Sequence, residues 1–393
     1  MSSDPIVIVA AKRTPLGAFQ GSLTGAMSPD LGAAAIRACI EESGVAAGDV
    51  SEVLMGCVLP AGVGQAPARQ AAISAGIPLA AGCTTLNKVC GSGMKTAMLA
   101  NDLIKVGSAS IVVAGGMESM TNAPYLMPRA RSGYRMGHQQ VLDHMFFDGL
   151  QNPYDGNMMG HFAEETAKKY AFSRESQDAF AIESVQRARA AMANGAFDAE
   201  TTAVTISGRK GDTTISEDDG PGNADIEKIP TMRPAFAKDG TVTAASSSSI
   251  SDGAAALLLM SSSDAKSRGL KPLATISSHS SFAHEPEWFT TAPVFAIKAL
   301  HKKLGWNRDT VDLYEINEAF ACVTMAAMTD LGLDHAKVNV NGGACALGHP
   351  IGATGARIIV TLLHALRNRG LERGVASLCI GGGEAVAIGI EVS

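Results

Sequence analysis

Charged and aromatic residues are scarce in this sequence. Of its 393 residues, only 18% are charged and 5% are aromatic, whereas 46% are hydrophobic. A chain so poor in charge and so rich in apolar residues is not a disordered segment, and at this length it can bury a sizeable core. The net charge of −6 offers none of the clustered positive charge that nucleic acid requires. We therefore expect a compact protein with no nucleic-acid partner.

Cysteine pairs and long apolar runs are also missing. The seven cysteines are scattered and contain no Cys-x-x-Cys pair, which argues against a disulfide framework and against a zinc site. No apolar stretch approaches the ~20 residues that span a bilayer. The first ten residues lack the basic segment of a secretory signal, and the last residues lack a peroxisomal signal. From these absences we expect a cytoplasmic protein with no membrane span and no metal.

Apolar runs alternate with segments of helical periodicity, which predicts an α/β fold with a largely buried sheet. Strands are predicted at residues 6–10 and 53–57, and a helix between them should have Ser28 as its N-cap and end at Gly44. One segment of the chain has a turn, then a helix, then an apolar strand, and ends in a Gly-Gly-x-Glu tetrad at residue 118. The same order recurs about 260 residues later, up to residue 384. This self-similarity predicts a duplicated α/β unit.

Four segments place a reactive side chain among glycines or at the junction of a strand and a helix. They are Asn87-Lys88-Val89-Cys90-Gly91-Ser92-Gly93, Asn317-Glu318-Ala319-Phe320, the Gly342–Gly352 stretch containing Gly348-His349-Pro350, and Cys379-Ile380-Gly381-Gly382-Gly383. A cysteine at a helix N-terminus faces free backbone N–H groups, which should lower its pKa from about 8.5. Glycines allow a substrate to approach the backbone N–H groups, which can then stabilise an oxyanion.

Each of these segments also has a purely structural interpretation. Cys90 is equally compatible with a packed thiol in a tight turn, and Cys379 lies on an apolar strand, where a core residue is the commoner case. Asn317 could serve only to cap the following helix. Residues 348–355 resemble a phosphate-binding loop, but they lack its Gly-Lys-Ser/Thr ending.

Taken together, the four segments closely resemble the motifs of the thiolase family, in the same order along the chain. The likeness extends to Gly115-Gly116-Met117-Glu118-Ser119-Met120 and to Asp252-Gly253-Ala254-Ala255. The resemblance implies an α/β thiolase fold with two duplicated five-layered α-β-α-β-α halves and an inserted loop domain. The N-terminal half would be residues 1–119 with 249–271, the loop domain 120–248, and the C-terminal half 272–393.

The resemblance also implies roles for individual residues. Cys90 would be the acylated nucleophile, His349 would activate it, and Cys379 would be the acid and base at the substrate carbon. Asn317, through a water, would form one oxyanion hole with His349, and the N–H groups of Cys90 and Gly381 would form the other. Coenzyme A would be a cosubstrate, with no permanently bound cofactor. The substrate and coenzyme A would contact Met159, Phe236, Ala244, Ser248, Phe289, Ala319 and Phe320.

Some positions depart from the family pattern. Met158 stands where short-chain members usually have histidine, Phe289 replaces a usual methionine, and Glu384-Ala385 replaces a common Met-Gly. The segment from 125 to 141 resembles a tetramerisation loop, which implies a homotetramer formed as a dimer of dimers.

The predicted function is that of an acetyl-CoA C-acetyltransferase, which makes or cleaves acetoacetyl-CoA through a Cys90 acyl-enzyme. A degradative 3-ketoacyl-CoA thiolase of broader chain length is the main alternative. A non-catalytic acyl-CoA or lipid carrier would be expected to lose Cys90, His349 or Cys379, and a decarboxylating condensing enzyme would not need Cys379.

Overall fold

The computed structural model describes residues 4–209 and 211–392. Its strands are β1 Ile6–Arg13, β2 Gly17–Ala18, β3 Glu52–Gly56, β4 Gly82–Leu86, β5 Val112–Ser119, β6 Tyr125–Leu126, β7 Leu142–Asp143, β8 Val204–Ile206, β9 Thr213–Ile215, β10 Ser251–Ser261, β11 Ala274–Ala283, β12 Leu313–Ile316, β13 Arg373–Ile380 and β14 Glu384–Glu391. Its α-helices are α1 Ser28–Ser43, α2 Pro67–Ser74, α3 Ser92–Lys105, α4 Met159–Lys169, α5 Arg174–Ala193, α6 Asp219–Asn223, α7 Ser262–Ser267, α8 Ala292–Leu304, α9 Ala321–Leu331, α10 Ala344–Leu347 and α11 Thr354–Arg369.

Strand order in the main sheet is β12-β13-β14-β11-β1-β10-β5-β3-β4, with β2 paired to β10. The sequence of pairings is the same on both sides of the β11–β1 contact. On the N-terminal side, β1 pairs antiparallel with β10, β10 antiparallel with β5, and β5 parallel with β3. On the C-terminal side, the corresponding strands are β11, β14, β13 and β12, with the same directions. This mirrored order confirms the duplication that the sequence predicts.

Helices α3 and α11 form a layer between the two half-sheets. They contact each other, and each contacts strands of both halves. The largest buried apolar cluster joins these two helices to the facing sides of β1, β10, β13 and β14. Helices α1 and α2 cover the outer face of the N-terminal half-sheet, and α8 and α9 cover the outer face of the other. The α-β-α-β-α layering is confirmed, but its five layers are formed by the two halves together and not, as predicted, by each half.

Local signals placed the elements well but missed some boundaries. Helix α1 ends at Gly44, which has a positive φ of 67°, as the glycine predicts. Its N-cap is Met27 rather than Ser28, because the Asp30 carboxylate accepts a hydrogen bond from the Met27 N–H at 3.0 Å and closes the first turn one residue earlier. The Gly115-Gly116-Met117-Glu118 tetrad lies within β5, whereas Gly381-Gly382-Gly383 forms the turn between β13 and β14. The two tetrads therefore do not occupy the same place in their halves.

The segment between β5 and β10 contains α4, α5, α6 and two small hairpins, although β5 and β10 are neighbours in the sheet. The predicted domain boundaries around this segment remain a prediction, and the predicted outer limits at residues 1 and 393 lie outside the described residues. Within residues 4–209 and 211–392, no helix has both the length and the apolar character needed to cross a membrane.

Candidate active site

The loop that carries Cys90 connects β4 to α3 and is held by a serine. The Ser92 hydroxyl accepts a hydrogen bond from the Lys88 N–H at 2.8 Å and donates one to the Val89 carbonyl at 2.6 Å. This closes a tight turn in which Val89 has a φ of 45°, a strained value for a β-branched residue. Cys90 follows directly, just ahead of the first turn of α3.

The turn after β13 brings the second half of the chain to the same place. Cys379 is completely buried near the end of β13, and Gly381 begins the turn. A side chain at Gly91 would collide with Ile380, so the loop of Cys90 and the end of β13 are in direct contact. Gly382 and Gly383 have φ values of 93° and 89°, which other residues rarely adopt.

His349 is held in one tautomer by Thr354. The Thr354 hydroxyl donates its single proton to the Pro350 carbonyl at 2.9 Å, so it can only accept a hydrogen bond from the His349 Nδ1, which lies 2.7 Å away. The proton of the neutral imidazole is therefore on Nδ1. Nε2 carries the free electron pair and has no hydrogen-bond partner among the described residues. An imidazole in this state can accept a proton from a thiol at Nε2.

The serine run at residues 246–249 links the remaining loops. The Ser246 carbonyl accepts a hydrogen bond from the Ala321 N–H at 2.8 Å, and the Ser248 N–H donates one to the Ala319 carbonyl at 3.0 Å. The Ser249 carbonyl accepts a hydrogen bond from the His349 N–H at 3.1 Å. The run is thus a structured turn that fixes the positions of the Asn317–Phe320 and His349 segments.

Glu118 anchors the His349 loop from the N-terminal half. This carboxylate is fully buried and accepts hydrogen bonds from the backbone N–H groups of Val58, Leu59 and Gly352, at 2.9, 3.1 and 2.8 Å. Its pKa is raised to about 7, because burial outweighs the stabilisation that these donors give to the anion. The sequence pattern gives no sign of this role.

These segments surround a cavity of about 370 Å³ that is lined mostly by apolar groups. All of the predicted site residues except Asn317 line it: Cys90, His349, Cys379, Gly381, Met159, Phe236, Ala244, Ser248, Phe289, Ala319 and Phe320. The Phe236 and Phe320 rings pack edge to face, with their centroids 5.8 Å apart. A narrow apolar cleft that converges on a few reactive groups is typical of a site for a long, flexible ligand.

Asn317 lies at the end of β12, outside the cavity lining. Its backbone N–H donates to the Ser377 carbonyl at 3.0 Å, and its side chain is buried. Neither the amide oxygen nor the amide nitrogen has a hydrogen-bond partner among the described residues. Because buried amides are almost always paired, this side chain can still bind a water or a ligand group.

Other lining residues escaped the sequence analysis. They are Met120, Phe146, Gly149, Leu150, Gly160, Ala235, Ser247, Ser249, Ile250 and Ile351, together with Met158, which was noted only as a departure from the family pattern. Phe146 and Leu150 lie on a single π-helical turn, Met145–Leu150, whose five-residue spacing matches neither helical nor strand periodicity. Proximity to His349 was the one available signal for Ile351.

The expected lowering of the Cys90 pKa is wrong. Burial raises the pKa of this thiol to about 11, although the N–H groups of Gly381 and of Cys90 itself act in the opposite direction. The sulfur has one side on the cavity and is otherwise surrounded by protein, so the cost of desolvating a thiolate exceeds the effect of the helix N-terminus. Cys90 therefore rests as a thiol that needs a base to become a nucleophile.

The two partners of Cys90 are also perturbed by burial. Burial, followed by the charge of Arg357, lowers the pKa of His349 to about 3, which keeps the imidazole neutral. The pKa of Cys379 is raised well above its usual value, first by burial and then by the neighbouring thiols of Cys90 and Cys322. At neutral pH the site thus contains two thiols and a neutral imidazole, an arrangement suited to proton transfer without a resting charge.

The comparison with known proteins agrees with this geometry. The family model for the thiolase N-terminal domain matches residues 6–263, and that for the thiolase C-terminal domain matches residues 270–392. The fold and the two-cysteine site define a thiolase-type protein, and the chain belongs to the thiolase family.

Similar proteins match over nearly their whole length. An acetyl-CoA acetyltransferase of Pseudomonas aeruginosa is 50% identical, with 98% of each chain covered. That of Cupriavidus necator is 49% identical, with 98% of this chain and 99% of the relative covered. Among solved structures, a thiolase from Ascaris suum in complex with coenzyme A has a TM-score of 0.95 at 43% identity, covering 99% of this chain and 100% of the other.

Proposed function

We propose that this protein is an acetyl-CoA C-acetyltransferase that makes and cleaves acetoacetyl-CoA. The observation that carries this proposal is the convergence of Cys90, His349 and Cys379, from both halves of the chain, on one apolar cavity. Relatives named acetyl-CoA acetyltransferase cover almost the full chain at about half identity, which supports the same conclusion.

In the cleavage direction, His349 Nε2 takes the proton of Cys90 as the sulfur attacks the 3-keto carbon. The bond between C2 and C3 then breaks, and its electron pair is left on C2 as the enolate of acetyl-CoA. Cys379 gives its proton to C2, and acetyl-CoA leaves. His349 then passes the proton it took from Cys90 to Cys379, which restores that thiol. As the sulfur of coenzyme A attacks the acyl-Cys90 thioester, His349 takes the thiol proton of coenzyme A and gives it to the departing Cys90 sulfur.

Two sets of donors would stabilise the oxyanions of this sequence. The backbone N–H groups of Cys90 and Gly381, which both act to lower the pKa of the Cys90 thiol, would bind the tetrahedral oxyanion that forms beside this sulfur. Asn317 has an unpaired amide, and with a bound water it would assist His349 at the thioester enolate. The coenzyme A arm would occupy the part of the cavity lined by Phe236, Ala244, Ser248, Ala319 and Phe320, with Met159 and Phe289 beside the thioester.

A broader chain-length 3-ketoacyl-CoA thiolase is the second candidate. It is favoured by the apolar side chains of Met120, Phe146, Leu150, Met158 and Ile351 on the cavity wall, which could accept a longer acyl chain. Purified protein should therefore be incubated with coenzyme A and either acetoacetyl-CoA or 3-ketooctanoyl-CoA, following the loss of the 3-ketoacyl absorbance.

Faster cleavage of the four-carbon substrate supports the first proposal. Preference for the eight-carbon substrate supports the second, and replacing Met158 with histidine should then shift the preference toward the shorter chain. If neither substrate is cleaved, both proposed activities are contradicted, and a non-catalytic acyl-CoA carrier is the remaining hypothesis.

A homotetramer and a cytoplasmic location are part of the proposal. The segment from 125 to 141 exposes large apolar side chains, including Tyr125, Met127 and Met136 at 67%, 54% and 92%. An apolar surface of this kind is typical of an interface between subunits. All seven cysteines are free, which suits a reducing compartment. Light scattering should give four times the chain mass of 40.4 kDa, and a monomer would contradict the tetramer.

A further inference from the structure

An ion pair joins the loop that carries Cys90 to the glycine turn after β13. The Lys88 ammonium contacts the Glu384 carboxylate, although 296 residues separate them in the sequence. Their side chains are 23% and 37% exposed, so the pair is partly shielded from water. One partner belongs to the N-terminal half of the molecule and the other to the C-terminal half.

Each partner lies on a loop that also carries a backbone N–H group acting on the Cys90 thiol. Lys88 precedes Cys90 by two residues in the strained turn at Val89. Glu384 is the first residue of β14, opposite Ile380 in the register, and closes the turn that begins with Gly381. A Cβ at Gly381 would lie 3.8 Å from the Val89 side chain, so the glycine turn packs against the loop that carries Cys90.

The turn formed by Gly381, Gly382 and Gly383 has few side-chain contacts that could hold Gly381 in place. A Cβ built at Gly382 would have no neighbour within 4 Å. Gly382 and Gly383 both have positive φ values, and as glycines they contribute no side chain that could hold the turn. The Gly383 carbonyl accepts from the His284 N–H at 2.9 Å, which holds the outer end of the turn but not Gly381. The Lys88–Glu384 ion pair therefore adds a link between this turn and the Cys90 loop that the hydrogen bond to His284 does not supply.

We propose that Lys88 and Glu384 are positioning residues that form an ionic clasp, holding the Gly381 N–H against the Cys90 sulfur. The role of that N–H as an oxyanion donor rests on the proposed function, whereas its effect on the thiol does not. An isolated pair of this exposure contributes little to the stability of a fold. Its contribution is to fix the distance between two loops that come from different halves.

The test is the rate of Cys90 alkylation by iodoacetamide as a function of pH, which requires no acyl-CoA turnover. Lys88→Glu and Glu384→Lys should each slow alkylation at pH 8 by about fivefold, since the thiolate loses part of the Gly381 hydrogen bond. The charge-swapped double variant should regain the wild-type rate to within about twofold. Molar salt should slow the wild type but not a Glu384→Gln variant, because salt screens a partly exposed pair.

Arg373→Gln is the matched control. It removes a comparably exposed ion pair, Arg373 with Glu391 at 2.8 Å, from the other end of the β13–β14 pair. This variant should alkylate at the wild-type rate, and its melting temperature should fall about as much as in the single clasp variants. If a reversed-charge variant does not fold, Lys88→Gln and Glu384→Gln provide the same comparison with a milder change.

Wild-type alkylation rates in all clasp variants would overturn the clasp, and so would a charge swap that fails to restore the rate. Slowed alkylation with rescue, in a protein that cleaves no 3-ketoacyl-CoA, would keep the clasp and reject the proposed function. If the protein is an active thiolase and the variants alkylate at the wild-type rate, the proposed function is kept and the clasp is rejected.

Discussion

In the N-terminal half, β5 carries Glu118 and α3 follows Cys90; in the C-terminal half, β13 carries Cys379 and α11 follows the His349 loop. The strands and helices correspond in order and direction, yet the side chains at their ends do different things. The Glu118 carboxylate accepts hydrogen bonds from three backbone N–H groups and holds a loop, whereas the buried Cys379 lines the cavity. The comparison shows that corresponding strands of a duplicated fold can place different side chains at one site: a buried carboxylate that holds a loop, and a thiol that lines the cavity.

The two helix N-termini differ in a similar way. Cys90 gains N–H donors from its own loop and from Gly381, but its burial still leaves it protonated. His349 gains a hydroxyl partner at Nδ1 and keeps Nε2 free. Cys90 and His349 thus precede the corresponding helices α3 and α11 of the two halves, and both line the same cavity.

Removing the nucleophile should have the largest effect. Cys90→Ala should lower turnover by about 10⁴-fold or more, because it removes the proposed carrier of the acyl group. Steady-state kinetics will measure the loss, and Cys83→Ala, a free cysteine on β4 outside the cavity lining, is the matched control. Turnover within about tenfold of wild type would reject the assignment.

Removing the loop support should affect stability rather than chemistry alone. Glu118→Ala leaves the N–H groups of Val58, Leu59 and Gly352 buried without a partner. We expect the free energy of unfolding in urea to fall by about 3–5 kcal/mol. Glu41→Ala, on the exposed face of α1, should change it by less than about 0.5 kcal/mol. Equal losses of unfolding free energy in the two variants would show that Glu118 does not stabilise the loop.

Gly116, within β5, and Gly381, directly after β13, should respond differently to an added methyl group. At Gly116 a Cβ would overlap the Gly352 carbonyl of the His349 loop, so Gly116→Ala should cost about 1–3 kcal/mol of unfolding free energy. At Gly381 the nearest atoms would be Met159 Sδ at 3.6 Å and Val89 at 3.8 Å, so Gly381→Ala should leave stability within about 0.5 kcal/mol. Urea midpoints of the two variants test the contrast, which fails if they shift alike.

The last prediction concerns the dependence of stability on pH. The pKa of Glu118 is raised to about 7 in the folded protein, so the folded state holds a proton that the unfolded state has lost. The stabilisation from that proton is complete below the ordinary glutamate pKa and is lost as pH rises through about 7. Glu118→Gln should therefore reduce the decline in stability between about pH 5 and 7, by at most ~1.4 kcal/mol per pH unit. An unchanged slope would mean that Glu118 titrates normally.

Sequence patterns predicted the elements and the reactive residues better than their surroundings. Gly44 ended a helix where expected, and Cys90, His349 and Cys379 met in one cavity because glycine-rich turns mark the junctions of strand and helix. Burial decided what the patterns could not: the direction of the Cys90 pKa shift depends on desolvation by distant parts of the chain. Likewise, no local spacing links Glu118 to Gly352, which meet only in the folded molecule.

The central claim is that Cys90 and Cys379 act at different steps, and the Cys379→Ala variant tests it most directly. The variant should be incubated with acetyl-CoA, the acyl-enzyme quantified by mass spectrometry, and condensation followed separately. We predict near-complete acylation of Cys90 together with a loss of condensation of about 10²-fold to 10⁴-fold, since only the acid and base at carbon is missing. Normal condensation in that variant, or failure of a folded variant to acylate, would contradict the division of roles between the two halves.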